Sequence, residues 1–272
     1  MLKKLDIIYE DNDILLCHKP AGIATQTKRL GQPDMESLLK NYRVKKGEPP
    51  YIGIVHRLDQ PVEGIMIFAK NQKSTATLSK QVQQRIIGKY YYAISDDTPI
   101  EPQGILENYL LTDKKTNVTI VTDETDVSQV KNANLIPNQV SDENKNLVGT
   151  AHSKRQGSES QSVSKDAKYA KLEYKVLKTK ENKTLFDIKL HTGRQHQIRV
   201  QMAHMGCPLV GDNKYGKNAL KPDTRVVNHA QTSADKMELN LCSYRLEFEH
   251  PTTRKKMQFS IVPKGIGFQL FF

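Results

Sequence analysis

The sequence predicts an α+β fold with a mixed, mostly antiparallel sheet, and three observations support this. Short stretches rich in β-branched and aromatic residues outnumber stretches of helical composition. Most neighbouring strand candidates are separated by a turn and not by a helix, which favours hairpins over strand-helix-strand units. The chain has 272 residues, of which 37% are hydrophobic, so it can bury a sizeable core.

The individual elements follow from apolar runs and from the turn residues between them. The whole chain, residues 1–272, is expected to form one domain. The first two strands, the two strands around residues 179–183 and the last two strands are predicted hairpins. We predict helices over residues 35–43 and 73–84, and strands over 5–9, 14–18, 53–56, 64–69, 89–95, 104–111, 115–122, 169–178, 184–190, 241–248 and 257–262.

The chain is strongly basic. It has 41 Lys and Arg against 30 Asp and Glu, a formal net charge of +11, and a pI near 9.4. A positive balance of this size suits a polyanionic partner such as RNA or DNA, although a basic soluble protein without such a partner has the same composition.

One segment, at about 123–168, differs from the rest of the chain. It is rich in Ser, Asn, Gln, Asp and Lys, and such a segment buries too little apolar surface to offset its ordering entropy. We therefore predict a polar, mobile insertion. Its own charges nearly cancel, so the positive charge belongs to the remainder of the chain, where a binding surface can use it.

The composition also bears on location. The three cysteines are far apart and form neither a disulfide framework nor a zinc pattern. The first residues have no apolar core of signal-peptide length, and no run approaches the roughly 18 apolar residues of a membrane span. We expect a cytoplasmic protein that does not associate with membranes.

The first candidate site is a polar loop between two predicted strands, His56-Arg57-Leu58-Asp59-Gln60-Pro61-Val62-Glu63-Gly64. Loops held by rigid strands often carry catalytic groups. Arg57 and Asp59 are two residues apart, so in an extended segment both would point to one face. The alternative is a surface ion pair beside a turn.

The second candidate site follows the strand that ends near Leu190. Thr192 and Gln195 match a capping box, which predicts a helix starting here and ending at Gly206. Arg194 would then lie in the first turn, where a cation is unfavourable, so it is expected to serve an anion or a carboxylate. The alternative is an exposed arginine packed on the strand.

A run of three tyrosines and a group of histidines are two further patterns that bear on the site. The run Lys89-Tyr90-Tyr91-Tyr92-Ala93 is either an ordinary strand or a strand whose aromatic residues stack on unpaired bases. In either case Tyr91 faces away from its two tyrosine neighbours. The histidines near residues 191–204 match no zinc spacing and have no acidic or cysteine partner nearby in sequence, so no metal site is predicted.

Taken in order, these segments resemble the RluA family of pseudouridine synthases. The resemblance covers most of the chain. The motifs that carry it are Tyr9-Glu10-Asp11-Asn12-Asp13 with His18-Lys19-Pro20-Ala21-Gly22, His56-Arg57-Leu58-Asp59 with Gly64, Lys89-x-Tyr91-x-Ala93, Thr192-Gly193-Arg194-x-His196-Gln197-Ile198-Arg199, Gly211-Asp212 with Tyr215-Gly216, and Tyr244-Arg245-Leu246-x-Phe248-x-His250-Pro251.

The resemblance implies the pseudouridine synthase fold, a mixed, mostly antiparallel sheet with flanking helices and a central basic cleft. It implies that Asp59 is the essential aspartate, Tyr91 the active-site tyrosine and Arg194 the arginine that pairs with the aspartate. It also implies that Arg57 helps to displace the target base. The other expected RNA-binding residues lie in the same motifs: His56, His196, Gln197 and Arg199.

The resemblance implies an isomerase that acts on RNA. We further expect a monomer without a cofactor that acts on structured RNA, with ribosomal RNA preferred to transfer RNA. The chain departs from the family pattern at Glu63, where Ser is common, in its polar insertion, and in starting directly at the catalytic core without a small RNA-binding domain. Two alternatives stay open: a non-catalytic RNA-binding protein, and a glycosidic-bond hydrolase. The hydrolase would need a paired acid and base.

Overall fold

The computed structural model describes residues 5–27, 29, 31–122, 167–217 and 238–272. The predicted polar insertion at 123–168 lies, apart from its last two residues, outside the described residues. The predicted single domain over 1–272 stays a prediction.

The described chain contains eleven strands, three helices and one short 3-10 helix, close to the predicted elements. The helices are α1 (Met35–Lys45), α2 (Gln72–Gln83) and α3 (Gln197–His204), with the 3-10 helix at Ile266–Leu270. The strands are β1 (Asp6–Glu10), β2 (Ile14–Lys19), β3 (Gly53–Ile54), β4 (Glu63–Ala69), β5 (Gly88–Ser95), β6 (Gln103–Asp113), β7 (Val118–Thr122), β8 (Lys168–Lys180), β9 (Lys183–Leu190), β10 (Leu241–Glu249) and β11 (Lys256–Ser260).

All the described strands belong to one sheet. Its order is β1-β2-β4-β10-β5-β9-β8-β6-β7, with β3 beside β4 and β11 beside β10. Within the described residues only β4 and β10 run parallel, and every other pair is antiparallel. The three predicted hairpins are present, and the prediction of a mixed, mostly antiparallel α+β fold is confirmed.

Helices pack on both faces of the sheet because successive strand residues point to opposite sides. In β4, Met66 and Phe68 share one core with the buried residues of α1 and α3. Their neighbours Ile65 and Ile67 face the other side and pack with Leu78 of α2. The first two helices begin at side-chain caps, since Asp34 accepts from Ser37 N and Asn71 accepts from Ser74 N, both at 2.8 Å.

The tyrosine run forms part of β5 and alternates as predicted. Tyr91 faces the larger core, on the same side as α1 and α3. Tyr90 and Tyr92 face the opposite side, where the ring of Tyr92 stacks on that of Tyr244 with centroids 3.6 Å apart. The alternation therefore leaves Tyr91 as the member of the run on the side where the candidate site lies.

Candidate active site

A cleft of about 1370 Å³ lies on the face of the sheet that carries Tyr91. The loop before β4, the start of β5 and the segment from β9 into α3 all line it. Among the described residues that line the cleft, six are Lys or Arg and two are Asp or Glu. These are Arg57, Arg85, Lys89, Arg194, Arg199 and Lys214, with Asp59 and Glu238. The predicted basic cleft is present.

Hydrogen bonds from two side chains hold the backbone of the Asp59 loop, one just before Asp59 and one just after it. Before it, Thr25 Oγ1 donates to the Leu58 carbonyl at 3.0 Å and accepts from Leu58 N at 3.2 Å. After it, the fully buried Lys19 ammonium donates to the Gln60 carbonyl at 3.2 Å. Burial lowers the pKa of Lys19 to about 8, and the negative charge of Asp59 opposes that shift. The position of the Asp59 carboxylate is therefore set by the fold.

A guanidinium and an imidazole face the carboxylate of Asp59. The Asp59 side chain is about one-third exposed. Arg199 Nη1 lies 3.5 Å from Asp59 Oδ2, and His196 Nε2 lies 3.8 Å from the same oxygen. Asp59 therefore lies in the cleft with Arg199 and His196 on one side of its carboxylate.

A buried carboxylate holds Arg199 in this position. Arg199 Nε donates to Asp212 Oδ2 at 2.7 Å, and Nη2 donates to Oδ1 at 2.6 Å. Asp212 also accepts from the backbone N–H groups of Lys214 and Tyr215. Burial raises the pKa of Asp212, but the Arg199 hydrogen bonds and charge outweigh it, so the pKa is lowered overall. A bidentate pair of this kind fixes the plane of the guanidinium.

His196 is oriented from behind by Tyr215. The Tyr215 hydroxyl accepts from Thr119 N at 2.9 Å and lies 2.7 Å from His196 Nδ1. These contacts are satisfied when the hydroxyl donates its proton to Nδ1, which places the imidazole proton on Nε2, towards Asp59. Burial lowers the pKa of His196, and the negative charge of Asp59 opposes this.

Arg194 does not make the predicted pair with Asp59 among the described contacts. Its Nε donates to the Tyr169 carbonyl at 2.8 Å, and among the described residues the arginine paired with Asp59 is Arg199. The predicted capping box is also wrong. Thr192 Oγ1 and Arg194 N both donate to the Gln197 side-chain oxygen, at 2.8 and 3.0 Å, and α3 begins only at Gln197.

Of the residues predicted to bind RNA, Gln197 and Arg199 are committed to protein contacts. Gln197 is 3% exposed, and its amide nitrogen donates to the Lys171 carbonyl and to Gln201. Arg199 is 5% exposed and serves Asp59 and Asp212. These two side chains therefore organise the site, and because both also line the cleft, their contact with RNA stays a prediction. Arg57, by contrast, is exposed in the cleft.

His56 is half-buried and also serves the protein. Its Nε2 accepts from Ile67 N at 3.1 Å, and because His56 also lines the cleft, its contact with RNA stays a prediction. Burial, reinforced by the charge of Lys89, lowers the pKa of His56 to about 3. The imidazole is therefore neutral at physiological pH and anchors the Asp59 loop to β4.

Tyr91 lies in the cleft, in the central part of the sheet. It is 6% exposed, and burial raises the pKa of its phenol. The phenol therefore stays protonated at neutral pH. An aromatic ring that lines a cleft can contact an unpaired base.

The chain is similar to known proteins over most of its length. Residues 13–204 match the family model described as RNA pseudouridylate synthase. The chain belongs to this family. The matched range includes the Asp59 loop, Tyr91, His196 and Arg199, so the central members of the site lie within it.

Named relatives of this pseudouridylate synthase family member come from several bacteria. It is 32% identical over 218 residues to ribosomal large subunit pseudouridine synthase C of Rickettsia bellii, covering 79% of this chain and 58% of that protein. It is 30% identical over 258 residues to ribosomal large subunit pseudouridine synthase D of Vibrio cholerae, covering 94% and 66%. The chain spans about two thirds of the length of these relatives or less.

Solved structures agree on the fold. The human RNA pseudouridylate synthase domain containing 4 superposes with a TM-score of 0.68 at 21% identity, covering 97% of this chain and 91% of that one. The human domain containing 1 gives 0.63 at 17% identity, covering 96% and 84%. The predicted pseudouridine synthase fold is confirmed.

The sequence patterns did not identify three residues that organise the site of this family member. They are Lys19, Asp212 and Tyr215, which hold the Asp59 loop, Arg199 and His196 respectively. All three lie in motifs that carry the family resemblance. Their roles depend on contacts between residues that are 13 to 41 positions apart in sequence, so the motifs alone did not reveal them.

Acidification should destabilise the protein through His56. The folded imidazole stays neutral down to a pKa of about 3, whereas in the unfolded chain it protonates near 6.5. This stability is therefore complete above about pH 6.5 and is lost as the pH falls towards 3, with a loss of about 2 kcal/mol by about pH 5.

The variant His56→Gln tests this, because Gln can accept from Ile67 N without titrating. Urea unfolding near pH 7 and near pH 5 should show a larger drop for wild type than for the variant, by about 2 kcal/mol. An identical pH dependence in both proteins would contradict the assignment.

Proposed function

We propose that this protein isomerises uridine to pseudouridine in RNA, with Asp59 as the reacting carboxylate. The observation that carries the proposal is the Asp59–Arg199 pair at 3.5 Å inside a cleft lined mainly by cationic side chains. The carboxylate supplies a reactive anion, and the basic cleft suits a phosphate backbone.

The reaction breaks the bond between ribose and uracil nitrogen 1, turns the base, and rejoins it through carbon 5. Asp59 starts the cleavage by attacking the sugar or by taking a proton from it, and either step requires the ionised carboxylate. Arg199 Nη1 lies beside that carboxylate, and His196 presents an N–H to the same oxygen. Tyr91 stacks on the uracil. The proton on carbon 5 is finally lost to solvent and nitrogen 1 takes up a proton in its place, so the product has the same atomic composition as the substrate.

Arg57 is proposed to fill the space that the flipped uridine leaves. It is exposed in the cleft, two residues from Asp59. Because unstacking a base costs a few kcal/mol, Arg57→Ala should slow turnover of a folded RNA by roughly 10- to 100-fold and that of an unpaired uridine much less.

Single-turnover rates on a stem-embedded and a single-stranded version of one RNA would measure this difference. Arg85→Ala is the matched control, since Arg85 is another exposed arginine of the cleft and should weaken both substrates alike. Equal losses on both RNAs for Arg57→Ala would remove its proposed role.

The substrate is proposed to be ribosomal RNA, in preference to transfer RNA, because two of the relatives are named ribosomal large subunit pseudouridine synthases. The protein is further proposed to act as a monomer in the cytoplasm and without a cofactor. Among the described residues no helix is long and apolar enough to cross a membrane, and no cluster of side chains suits a metal.

Tritium release from unmodified RNA labelled at uracil carbon 5 tests the proposed activity. Release from ribosomal RNA, with the base retained in the polymer, supports it. Release from transfer RNA alone would change the substrate. Free uracil would indicate the glycosidic-bond hydrolase, and no release from either RNA would leave the non-catalytic RNA-binding protein.

A further inference from the structure

Lys89 is a half-buried cation of the cleft to which the reaction gives no role. Two other lysines of the described chain are almost fully buried, and both have partners. Lys19 donates to three carbonyls, and Lys70 contacts Glu10 and Glu48. The described part of the chain offers Lys89 Nζ neither a hydrogen bond nor an ion pair. Burial alone acts on it and lowers its pKa.

The position of Lys89 relates it directly to the base site. It is the second residue of β5, and Tyr91 follows two residues later, so both side chains point to the cleft face. Two residues of strand span about 7 Å. One nucleotide can bridge this distance between its base and its own phosphate.

The loop before α3 passes close to the Lys89 ammonium at Gly193. A Cβ atom on Gly193 would lie 3.2 Å from Lys89 Nζ, and the backbone of Gly193 is not in the left-handed region that would require glycine. The missing side chain therefore keeps the approach to the ammonium open. Three other residues that line the cleft do not neutralise the ammonium, because Arg57 and Arg194 are cations and His56 is neutral.

We propose that Lys89 Nζ and the space over Gly193 form the binding site for a backbone phosphate of the nucleotide whose base stacks on Tyr91. The inference rests on the proposed function, since it assumes an RNA substrate. A compact ammonium with no internal partner gains most from a small anionic oxygen, and a phosphodiester supplies one. Lys89 is therefore a substrate-binding residue that sets how far the nucleotide enters the cleft.

The salt dependence of RNA binding tests this site. The probe is a fluorescein-labelled stem-loop of unmodified RNA with uridines in its loop, and Kd is measured over a series of potassium chloride concentrations. Lys89→Gln should lower the slope of log K against log salt by about 1, the value for one lost phosphate contact. Lys89→Arg should retain the wild-type slope.

Lys183→Gln is the matched control. Lys183 has a similar exposure, pairs with Asp96 at 2.7 Å and does not line the cleft, so its loss should leave the slope unchanged. Gly193→Ala places a methyl group beside the ammonium and should reduce both affinity and slope. This variant decides the question if thermal unfolding shows that Lys89→Gln does not fold.

An unchanged slope in Lys89→Gln, or in Gly193→Ala where the first variant does not fold, would overturn the phosphate site. Tritium release by the wild-type protein separates this result from failure of the proposed function. Release together with an unchanged slope rejects only the role of Lys89. A wild-type protein that does not bind the stem-loop or any cellular RNA rejects both proposals.

Discussion

Asp59→Asn is expected to reduce pseudouridine formation by at least about a thousandfold. The amide has nearly the shape of the carboxylate but can neither attack the sugar nor take a proton from it. Arg199 and His196 would keep their positions, because Asp212 and Tyr215 hold them independently of Asp59. The loss should therefore appear in the chemical step. Single-turnover tritium release with saturating enzyme measures it.

The same variant should still bind RNA and fold normally. Asp59 is one of only two acidic residues among the described residues that line the cleft, so removing its charge should not weaken the attraction for phosphate. Asp96→Asn is a suitable control, since Asp96 pairs with Lys183 outside the cleft and should leave turnover unchanged. Tritium release that persists in Asp59→Asn would assign the catalytic role to another group.

Arg199→Ala is expected to have the largest combined effect on stability and turnover. The change leaves the Asp212 carboxylate buried and without its guanidinium, a situation that costs about 3–5 kcal/mol. It also removes the cation nearest to Asp59. Urea unfolding and tritium release should therefore both decline, and the remaining activity should be measured at a temperature where the variant is folded.

Two further variants separate the roles of the arginines. Arg199→Lys retains a charge but not the bidentate pair, so it should recover part of the stability and little of the rate. Arg194→Ala removes a side chain whose described contact is the Tyr169 carbonyl, and it should cost less than about 1 kcal/mol of stability and much less of the rate. A thousandfold loss of rate in Arg194→Ala, with Arg199→Ala active, would instead support the pairing predicted from the motifs.

Local sequence was sufficient to predict most of the fold. Hairpins such as β8–β9 depend on apolar runs and a short turn, which are visible in neighbouring residues. The parallel pairing of β4 with β10 was not predictable in this way. It joins Glu63 to Cys242 and Gly64 to Ser243, and no short-range pattern specifies a partner at such a separation.

The site was predicted in part, for a similar reason. Asp59 and Tyr91 lie in compact motifs with one clear reactive or aromatic residue, and both line the cleft, while their catalytic roles stay predictions. The arginine was misassigned because Thr192 and Gln195 match a capping box, whereas the Gln197 side chain takes the contacts that would start a helix there. Moving the start of a helix by several residues changes which of its arginines faces a neighbouring loop.

The place of β10 in the sheet affects how the protein is made. β4 and β5 are consecutive strands, yet β10 lies between them, so the two portions of the sheet that carry the Asp59 loop and α3 are joined through a strand that is synthesised much later. Until residues 241–249 leave the ribosome, both strands present unpaired edges that can attract a chaperone or another chain. The two portions of the sheet that frame the cleft therefore join only after β10 has been synthesised.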